Sequence, residues 1–330
     1  MDFTNKVILI TGGTGSLGKH IVKRLMSGDN GKFKKIIIFS RDEDKHYQMS
    51  LDWSGCKDLL KFRVGDVRDY TSVLSAMRDV NIVIHAAAMK QVPLCEYFPL
   101  ESIKTNIYGI VNITRAIKEN NIPVETVLVV STDKACQPVN TYGMCKAIQE
   151  RIAIESNISI EKSVKVIVVR YGNVMASRGS IIPLFQKQIL EKREITVTSR
   201  KMSRFMMSID ESVDTIFNAI NKANPGEIYV PKIPAAKIGD IVEIMTEGRS
   251  VEIKNIGIRP GEKINESLIS MEESIRTLEE GDYFVITPFF PELECRKYKR
   301  QKASVISSDN FILSKYNLKN LLRQEGHLNF

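Results

Sequence analysis

Val7-Ile8-Leu9-Ile10-Thr11-Gly12-Gly13-Thr14-Gly15-Ser16-Leu17-Gly18 runs an apolar strand straight into a glycine-rich turn that opens an amphipathic helix. In that setting Gly12 permits the tight turn, Gly15 lets the backbone approach a pyrophosphate and Gly18 allows the helix to pack closely on the strand. The helix start adds N–H donors and a dipole that favours an anion, with Thr14, Ser16 and Leu17 completing the loop. Glycine spacing alone is a weak signal, but glycines placed between a buried strand and a helix read as a dinucleotide site. The plain alternative is a tight turn that holds nothing.

Outward from this loop the pattern repeats. KIIIFS (35–40), KFRVGD (61–66), NIVIHAA (81–87), TVLVVST (126–132) and VKVIVVRYGNV (164–174) alternate with helical segments. Continuous Val/Ile runs of this kind belong to strands buried on both faces, and right-handed crossovers then give a parallel sheet wrapped by helices. The expected fold is α/β, a Rossmann-like doubly wound parallel sheet with a smaller C-terminal substrate-binding subdomain. Residues 1–174 form the expected nucleotide-binding domain. Residues 175–330 form mainly the subdomain, with room for some segments to return to the sheet. Helices are expected at Ile209–Lys222 and Lys237–Thr246.

Composition narrows the function. Forty-three per cent apolar and 26% charged residues describe an ordinary globular chain. No run approaches the roughly 20 apolar residues of a membrane span, and the opening MDFTNKVILITGG lacks a signal-peptide pattern, so a cytoplasmic protein without membrane association is expected. Cys56, Cys95, Cys136, Cys145 and Cys295 are scattered, and the histidines lack ligand spacing, so neither disulfides nor a metal are expected. The net charge of +8 owes much to Arg296, Lys297, Lys299, Arg300 and Lys302, a run read as solvated surface and not as a nucleic-acid site.

The second strand ends in Ser40-Arg41-Asp42, where an NAD enzyme would present an acid to the ribose hydroxyls. Arg41, with Ser40 and Lys45, suits a ribose 2′-phosphate instead, which favours NADP over NAD. Asp66, with Val67 beside it, is expected to meet the adenine amino group, the alternative being a simple helix cap. Tyr142 and Lys146 stand at i and i+4 on one helix face, so the ammonium is expected to lower the phenol's pKa for proton abstraction during hydride transfer. Ser131-Thr132-Asp133-Lys134 lies ten residues upstream at a strand's carboxyl end, where open α/β sheets bind ligands.

TGGTGSLG, SRDE, GDVRD, HAAAMK, STDKA, YGMCK and RYGNV, in that order, resemble the extended short-chain dehydrogenase/reductases, and within them the bacterial UDP-N-acetylglucosamine 4,6-dehydratases, including inverting members. The likeness runs from about residue 4 to at least residue 270, with RGSIIP (178–183), RPGEK (259–263) and SSDN (307–310) as further matches. STDKA is its specific motif: related epimerases more often carry Ser or Thr there, and nucleotide-glucose dehydratases an Asp-Glu pair. The resemblance implies oxidation at sugar carbon-4, loss of water across carbons 5 and 6, and return of the hydride to carbon-6. Lys134 is then the candidate base and Asp133 the candidate acid, which requires a lowered lysine pKa and a raised carboxyl pKa. The alternative makes Asp133 a helix cap and Lys134 a surface charge.

By the same resemblance Thr132 bonds the carbon-4 oxygen, Lys146 also holds the nicotinamide ribose, and Ala86, Ala87, Tyr171 and Val174 border the cofactor. Lys90 and Asn173 face the substrate, Thr196 lies along the uracil, Arg204 and Arg259 hold the diphosphate and Glu262 accepts from the uridine ribose. Relatives commonly have an aromatic residue where this chain has Met206, which bears on sugar packing. His85 is read as a packed strand-end residue. The implied substrate is a UDP-N-acetyl-hexosamine, the implied assembly a homo-oligomer such as a hexamer, and Tyr142 leans the outcome towards carbon-5 inversion in a pathway such as pseudaminic acid synthesis. A UDP-sugar 4-epimerase, or a non-catalytic NADP-sensing protein on the same fold, are the competing readings.

Overall fold

The Val/Ile runs form the strands expected of them. The computed structural model describes residues 3–28, 31–175, 177, 179–293, 296 and 304–330. Six parallel strands come first: β1 (Val7–Thr11), β2 (Lys35–Ser40), β3 (Leu60–Val64), β4 (Ile82–His85), β5 (Thr126–Val130) and β6 (Lys165–Val169). Three more are supplied from further along the chain, β7 (Ile228–Pro231), β8 (Thr277–Glu280) and β9 (Tyr283–Ile286). The nine lie in the order β8-β9-β7-β6-β5-β4-β1-β2-β3. β7 continues the parallel set beside β6, and β9 and β8 close that edge as an antiparallel hairpin. The sheet is thus the doubly wound Rossmann type, with strand order reversing between β1 and β4. The chain after residue 174 therefore contributes both to this sheet and to the smaller lobe.

β1 and β4 are buried along their whole length, and β5 nearly so, because helices cover both faces. Ile209–Lys222 is one of these helices, started by a capping box between Ser208 and Glu211 and tied to the helix Ser16–Met26 by Arg24, which bonds Asp214 at 2.6 Å. The second expected helix spans Ile238–Met245. It belongs to a separate apolar core with Phe185, Ile189, Met206 and Leu318. Short strand pairs frame this lobe: Ser203–Met207 runs between Asn173–Val174 and Ala235–Lys237, and Ile195–Val197 pairs with Ile253–Asn255. No helix among the described residues is long and apolar enough to cross a membrane.

The basic run reads differently once folded. Arg296 is largely buried and ion-paired with Glu227 at 2.6 Å and with Glu280, so it fastens the sheet edge instead of standing in solvent. Lys297, Lys299, Arg300 and Lys302, like Cys295 and Arg178, lie outside the described residues.

Candidate active site

A cleft of about 1200 Å³ runs across the carboxyl ends of the parallel strands, between the sheet and the small lobe. Its floor is the glycine loop. Gly12 takes φ of +68°, and a Cβ there would stand 2.9 Å from the backbone of Ala87, so the turn accepts no side chain. Gly18 packs on Gly13 of the loop itself, not on the strand: an added Cβ would lie 2.5 Å from Gly13 Cα. Thr14, Gly15, Ser16 and Leu17 complete this wall, and Ala86 and Ala87 border it from the end of β4. His85 is buried beneath, sharing a hydrogen bond of 2.8 Å with Thr11 and with its pKa pushed down to about 3 by burial.

At the end of β2, Ser40, Arg41 and Lys45 all border the cleft. Ser40 bonds Thr14 at 2.8 Å and His46 at 2.9 Å, a chain of small polar groups that the sequence reading stopped short of by omitting His46. The Lys45 ammonium turns to Asp42, the N-cap of its own helix. Asp66 departs from expectation: Gly65 and Val67 line the cleft, but the Asp66 carboxylate is held by Arg68 at 2.6 Å, with Arg41 3.8 Å away. Burial alone would raise its pKa, and the bonds from Arg68 outweigh that and lower it. Nor is Asp66 a helix N-cap, a role that falls to Asp69.

The reacting corner forms where β5 ends. Thr132 leaves the strand extended and caps the short turn Asp133–Ala135; Asn140 then caps the long helix Thr141–Ser159. Gly143 allows the helix to lie on that turn, since a Cβ there would meet the Lys134 carbonyl oxygen at 2.3 Å. Tyr142 and Lys134 consequently share one corner of the cleft with Thr132, Lys146, Tyr171 and Asn173. Asp133 is fully buried behind the wall; its Oδ1 accepts from Thr132 Oγ1 and from Lys134 Nζ, each at 3.0 Å, and its Oδ2 has no hydrogen-bond partner among the described residues. Lys134 Nζ also donates to Asn173 Oδ1 at 3.4 Å and lies 3.6 Å from Glu266 Oε1.

Two proton affinities correct the expectations. Tyr142 is not lowered by Lys146: burial pushes its pKa up to about 12, the largest downward pull comes from Lys134, and Asp133 opposes it. Lys146 instead donates to Val130 O and Gln149 Oε1, and burial brings its own pKa down to about 8. For Lys134 burial pushes down, but Asp133 and Glu266 together raise the pKa well above the ordinary value, so in this arrangement it is an ammonium.

Opposite stands the small lobe, where Val174, Arg204, Arg259 and Glu262 line the cleft; Lys90 lines it from the loop after β4. The Arg204 guanidinium is tied to the carbonyls of Ser203, Lys263 and Ile264, and the Glu262 carboxylate accepts from the Arg259 N–H at 3.2 Å. Thr196 does not belong to this wall; its hydroxyl accepts from Gln188 at 3.0 Å in the edge strand of the small lobe. Met206 is core, packed in the small lobe's apolar cluster, so the missing aromatic residue is a matter of packing beneath the pocket.

Glu266, Asn140 and the Glu150–Arg170–Glu273 network were missed. Asn140 Oδ1 accepts from Gly143 N and Asn140 Nδ2 donates to Gly261 O, both at 2.7 Å, joining the start of the Tyr142 helix to the 259–263 loop. An Asn just before a helix was a readable cap signal, but its second partner was not. Arg170 is buried between two carboxylates, 2.6 Å from Glu150 on the Tyr142 helix and 2.8 Å from Glu273. Burial would raise the Glu273 pKa, and Arg170 overrides it, drawing the carboxyl down to about 2.

Such a nucleotide cleft, with Tyr142, Lys146 and a charged turn at the sheet's carboxyl edge, defines a short-chain dehydrogenase/reductase type of protein. Residues 8–288 match the model of the family described as polysaccharide biosynthesis protein, and the chain belongs to it. It is 44% identical over 300 residues to a UDP-glucose 4-epimerase of Rickettsia rickettsii, covering 90% of this chain and 87% of that one. It is also 44% identical over 288 residues to an inverting UDP-N-acetylglucosamine 4,6-dehydratase of Campylobacter jejuni, covering 87% and 84%. Among solved structures, Pen from Bacillus thuringiensis superposes with a TM-score of 0.91 at 36% identity, over 98% of this chain and 99% of that one.

Proposed function

We propose that this chain is a nucleotide-sugar-modifying enzyme, and specifically a UDP-N-acetylglucosamine 4,6-dehydratase that works with NADP. The observation that carries the reading is Lys134 beside Tyr142 in the cleft wall, with Asp133 bonded to Lys134 from behind that wall. An epimerase needs acid–base chemistry at carbon-4 alone, whereas a dehydratase needs a second acid–base pair aimed at carbons 5 and 6.

A nicotinamide dinucleotide fits the cradle on structural grounds, because Gly12 and Gly15 clear the backbone's approach and Arg41 stands at the adenosine end. When bound it would take the carbon-4 hydride and later return it to carbon-6. Tyr142, assisted by Thr132, removes the carbon-4 hydroxyl proton; Lys146 orients the nicotinamide ribose. Lys134 removes the carbon-5 proton and Asp133 protonates the departing carbon-6 hydroxyl. Arg204, Arg259 and Glu262 hold the UDP, with Lys90 and Asn173 against the sugar. Ser40, Arg41 and Lys45 favour NADP by offering charge to a 2′-phosphate.

As the hydride returns to carbon-6, carbon-5 takes a solvent-derived proton, and inversion by delivery to the face opposite Lys134 is the proposed outcome, in line with the name of the Campylobacter jejuni relative. Exposed Tyr97, Phe98, Leu100, Tyr108, Met144 and Ile148, on neighbouring helices, support self-association into a homo-oligomer. Purified protein given UDP-N-acetylglucosamine, followed by NMR, tests the reading: a methyl signal at carbon-6 is expected, and a retained carbon-6 hydroxymethyl after carbon-4 chemistry overturns it. The competing reading, a UDP-sugar 4-epimerase, is favoured by the names of the Rickettsia relatives and by a Lys134 held as an ammonium. It predicts no solvent deuterium at carbon-5.

A further inference from the structure

Glu266 is a buried carboxylate that the proposed chemistry leaves unused. It shares the Lys134 ammonium with Asp133 and borders the cleft, which Asp133 does not. Its backbone is fixed: the Glu266 N–H donates to Ser308 Oγ at 3.0 Å and the Ser308 N–H donates to Glu266 O at 2.8 Å. Oε1 stands 3.6 Å from Lys134 Nζ, and the buried Oε2 has no hydrogen-bond partner among the described residues, with Lys263 Nζ 3.9 Å away and engaged with Cys136 O. A buried carboxylate oxygen without a donor is costly as an anion and cheap to protonate.

Resting on the dehydratase reading, we propose that Glu266 is the proton-holding partner of Lys134, taking the ammonium proton when substrate fills the cleft so that Lys134 meets carbon-5 as a free amine. One Lys134 N–H bond breaks and one Glu266 O–H bond forms, with no exchange with solvent and no change of oxidation state. Removal of the carbon-5 proton makes Lys134 an ammonium again; Lys134 hands a proton to Asp133, which passes it to the leaving hydroxyl, and the hydroxyl departs as water. Lys134 touches both carboxyls, so the proton stored on Glu266 returns to it as it supplies Asp133. The cluster ends the elimination with the protons it began with.

The charges around Glu266 favour this assignment. Burial raises its pKa first of all; Lys134, Arg204 and Lys263 pull it down, and Asp133 pushes it up. Arg204 and Lys263 come from the small-lobe strand and the 259–266 loop, Asp133 and Lys134 from the turn after β5. A diphosphate bound by Arg204 would spend part of that cation's field, leaving Glu266 better able to hold a proton.

Glu266→Gln keeps size and removes the proton site. The variant is expected to bind NADP and UDP as the parent does, yet to lose water from UDP-N-acetylglucosamine and take up deuterium at carbon-5 about 100-fold more slowly at neutral pH. Its rate should climb with pH, because Lys134 must now release its proton to solvent, while Glu266→Asp restores part of the rate and the flatter profile of the parent. An E266Q rate equal to the parent's, or lowered by one factor at every pH, overturns the proposal. Should E266Q fail to hold NADP, E266A with added acetate decides: recovery in proportion to acetate supports it, and none overturns it. A parent enzyme that dehydrates no UDP-sugar removes the dehydratase reading itself, a result distinct from an active parent with an indifferent E266Q.

Discussion

The two walls of the cleft are built on different principles. The nucleotide wall is backbone and small residues, Gly12, Gly15, Gly18, Ala86 and Ala87, from the first 90 residues of the chain, and its shape is set by close approach. The reacting wall is side chains: Lys134, Asn173 and Glu266 come from separate segments and meet through a hydrogen bond and an ion pair, and Arg204 beside them is tied to the carbonyl of Ile264. A wall of backbone keeps its shape when a neighbour is substituted. A wall of mutually paired charges does not, because each member fixes the protonation of the next.

The seam between the walls is Tyr142, and its loss should give the largest effect. Tyr142→Phe removes only the phenol oxygen, so the fold and cofactor affinity should survive, while carbon-4 oxidation falls by about 1000-fold or more. Reduced-nicotinamide absorbance after mixing with UDP-sugar reads this step directly. A variant that still reduces the cofactor at the parent's rate would dissolve the seam and revive a non-catalytic role for the Tyr142-Lys146 pair.

Arg170→Met attacks the support of the reacting wall and should be next in size, at about 3–5 kcal/mol of stability near neutral pH, because two buried carboxylates lose their partner. The sign with pH follows from Glu273. Its folded pKa, about 2, lies below the ordinary 4.5, so the stability it contributes is full above the ordinary value and fades as pH falls from there towards about 2. Without Arg170, burial raises the Glu273 carboxyl instead, and acid then favours the folded variant. The melting-temperature gap between parent and variant should therefore narrow as pH drops from 7 to about 4. A gap that stays constant would mean that the network is packing and not charge.

These supports also mark what the sequence could reveal. The glycine loop, the strand runs and the Tyr142-Lys146 spacing are local, each fixed by neighbours within a turn or two, and so were readable in order along the chain. Arg170 reaches Glu273 across 103 positions, and Glu266 meets Lys134 only because the chain returns after building the small lobe. No periodicity encodes such pairs. Asp66 and Thr196 stand off the cleft lining for a related reason: the strands were found, but which way a carboxylate or hydroxyl turns depends on Arg68 and Gln188, partners that spacing does not announce. Tyr142 shows the energetic version of the same gap, since i, i+4 placement was legible and the burial that overrides it was not.

Arg41 tests the nucleotide wall at its one charged margin. If NADP is chosen there, Arg41→Ala should weaken NADP by about 10- to 100-fold, the worth of one or two charge-assisted bonds, and leave NAD unchanged. Titration with both dinucleotides measures it. Equal losses for the two would assign Arg41 to loop structure through Asp66, 3.8 Å away, and remove the basis for preferring NADP.

The smallest expected effect sits where the walls meet the nucleotide-sugar loop. Asn140 performs two tasks with one amide: its oxygen caps the Tyr142 helix at Gly143 N, and its nitrogen holds Gly261 O. Asn140→Asp keeps an oxygen for the cap but sets a carboxylate against a carbonyl, so the loop carrying Arg259 and Glu262 loosens while the helix start stays formed. The expected result is a KM for the UDP-sugar raised about 2- to 10-fold, with melting temperature and cofactor affinity retained. Asn140→Ala should add a stability loss of about 1 kcal/mol from the missing cap. A fall in kcat without a change in KM would instead show that the Gly261 bond positions Tyr142 itself, making the loop part of the reacting wall and not merely its neighbour.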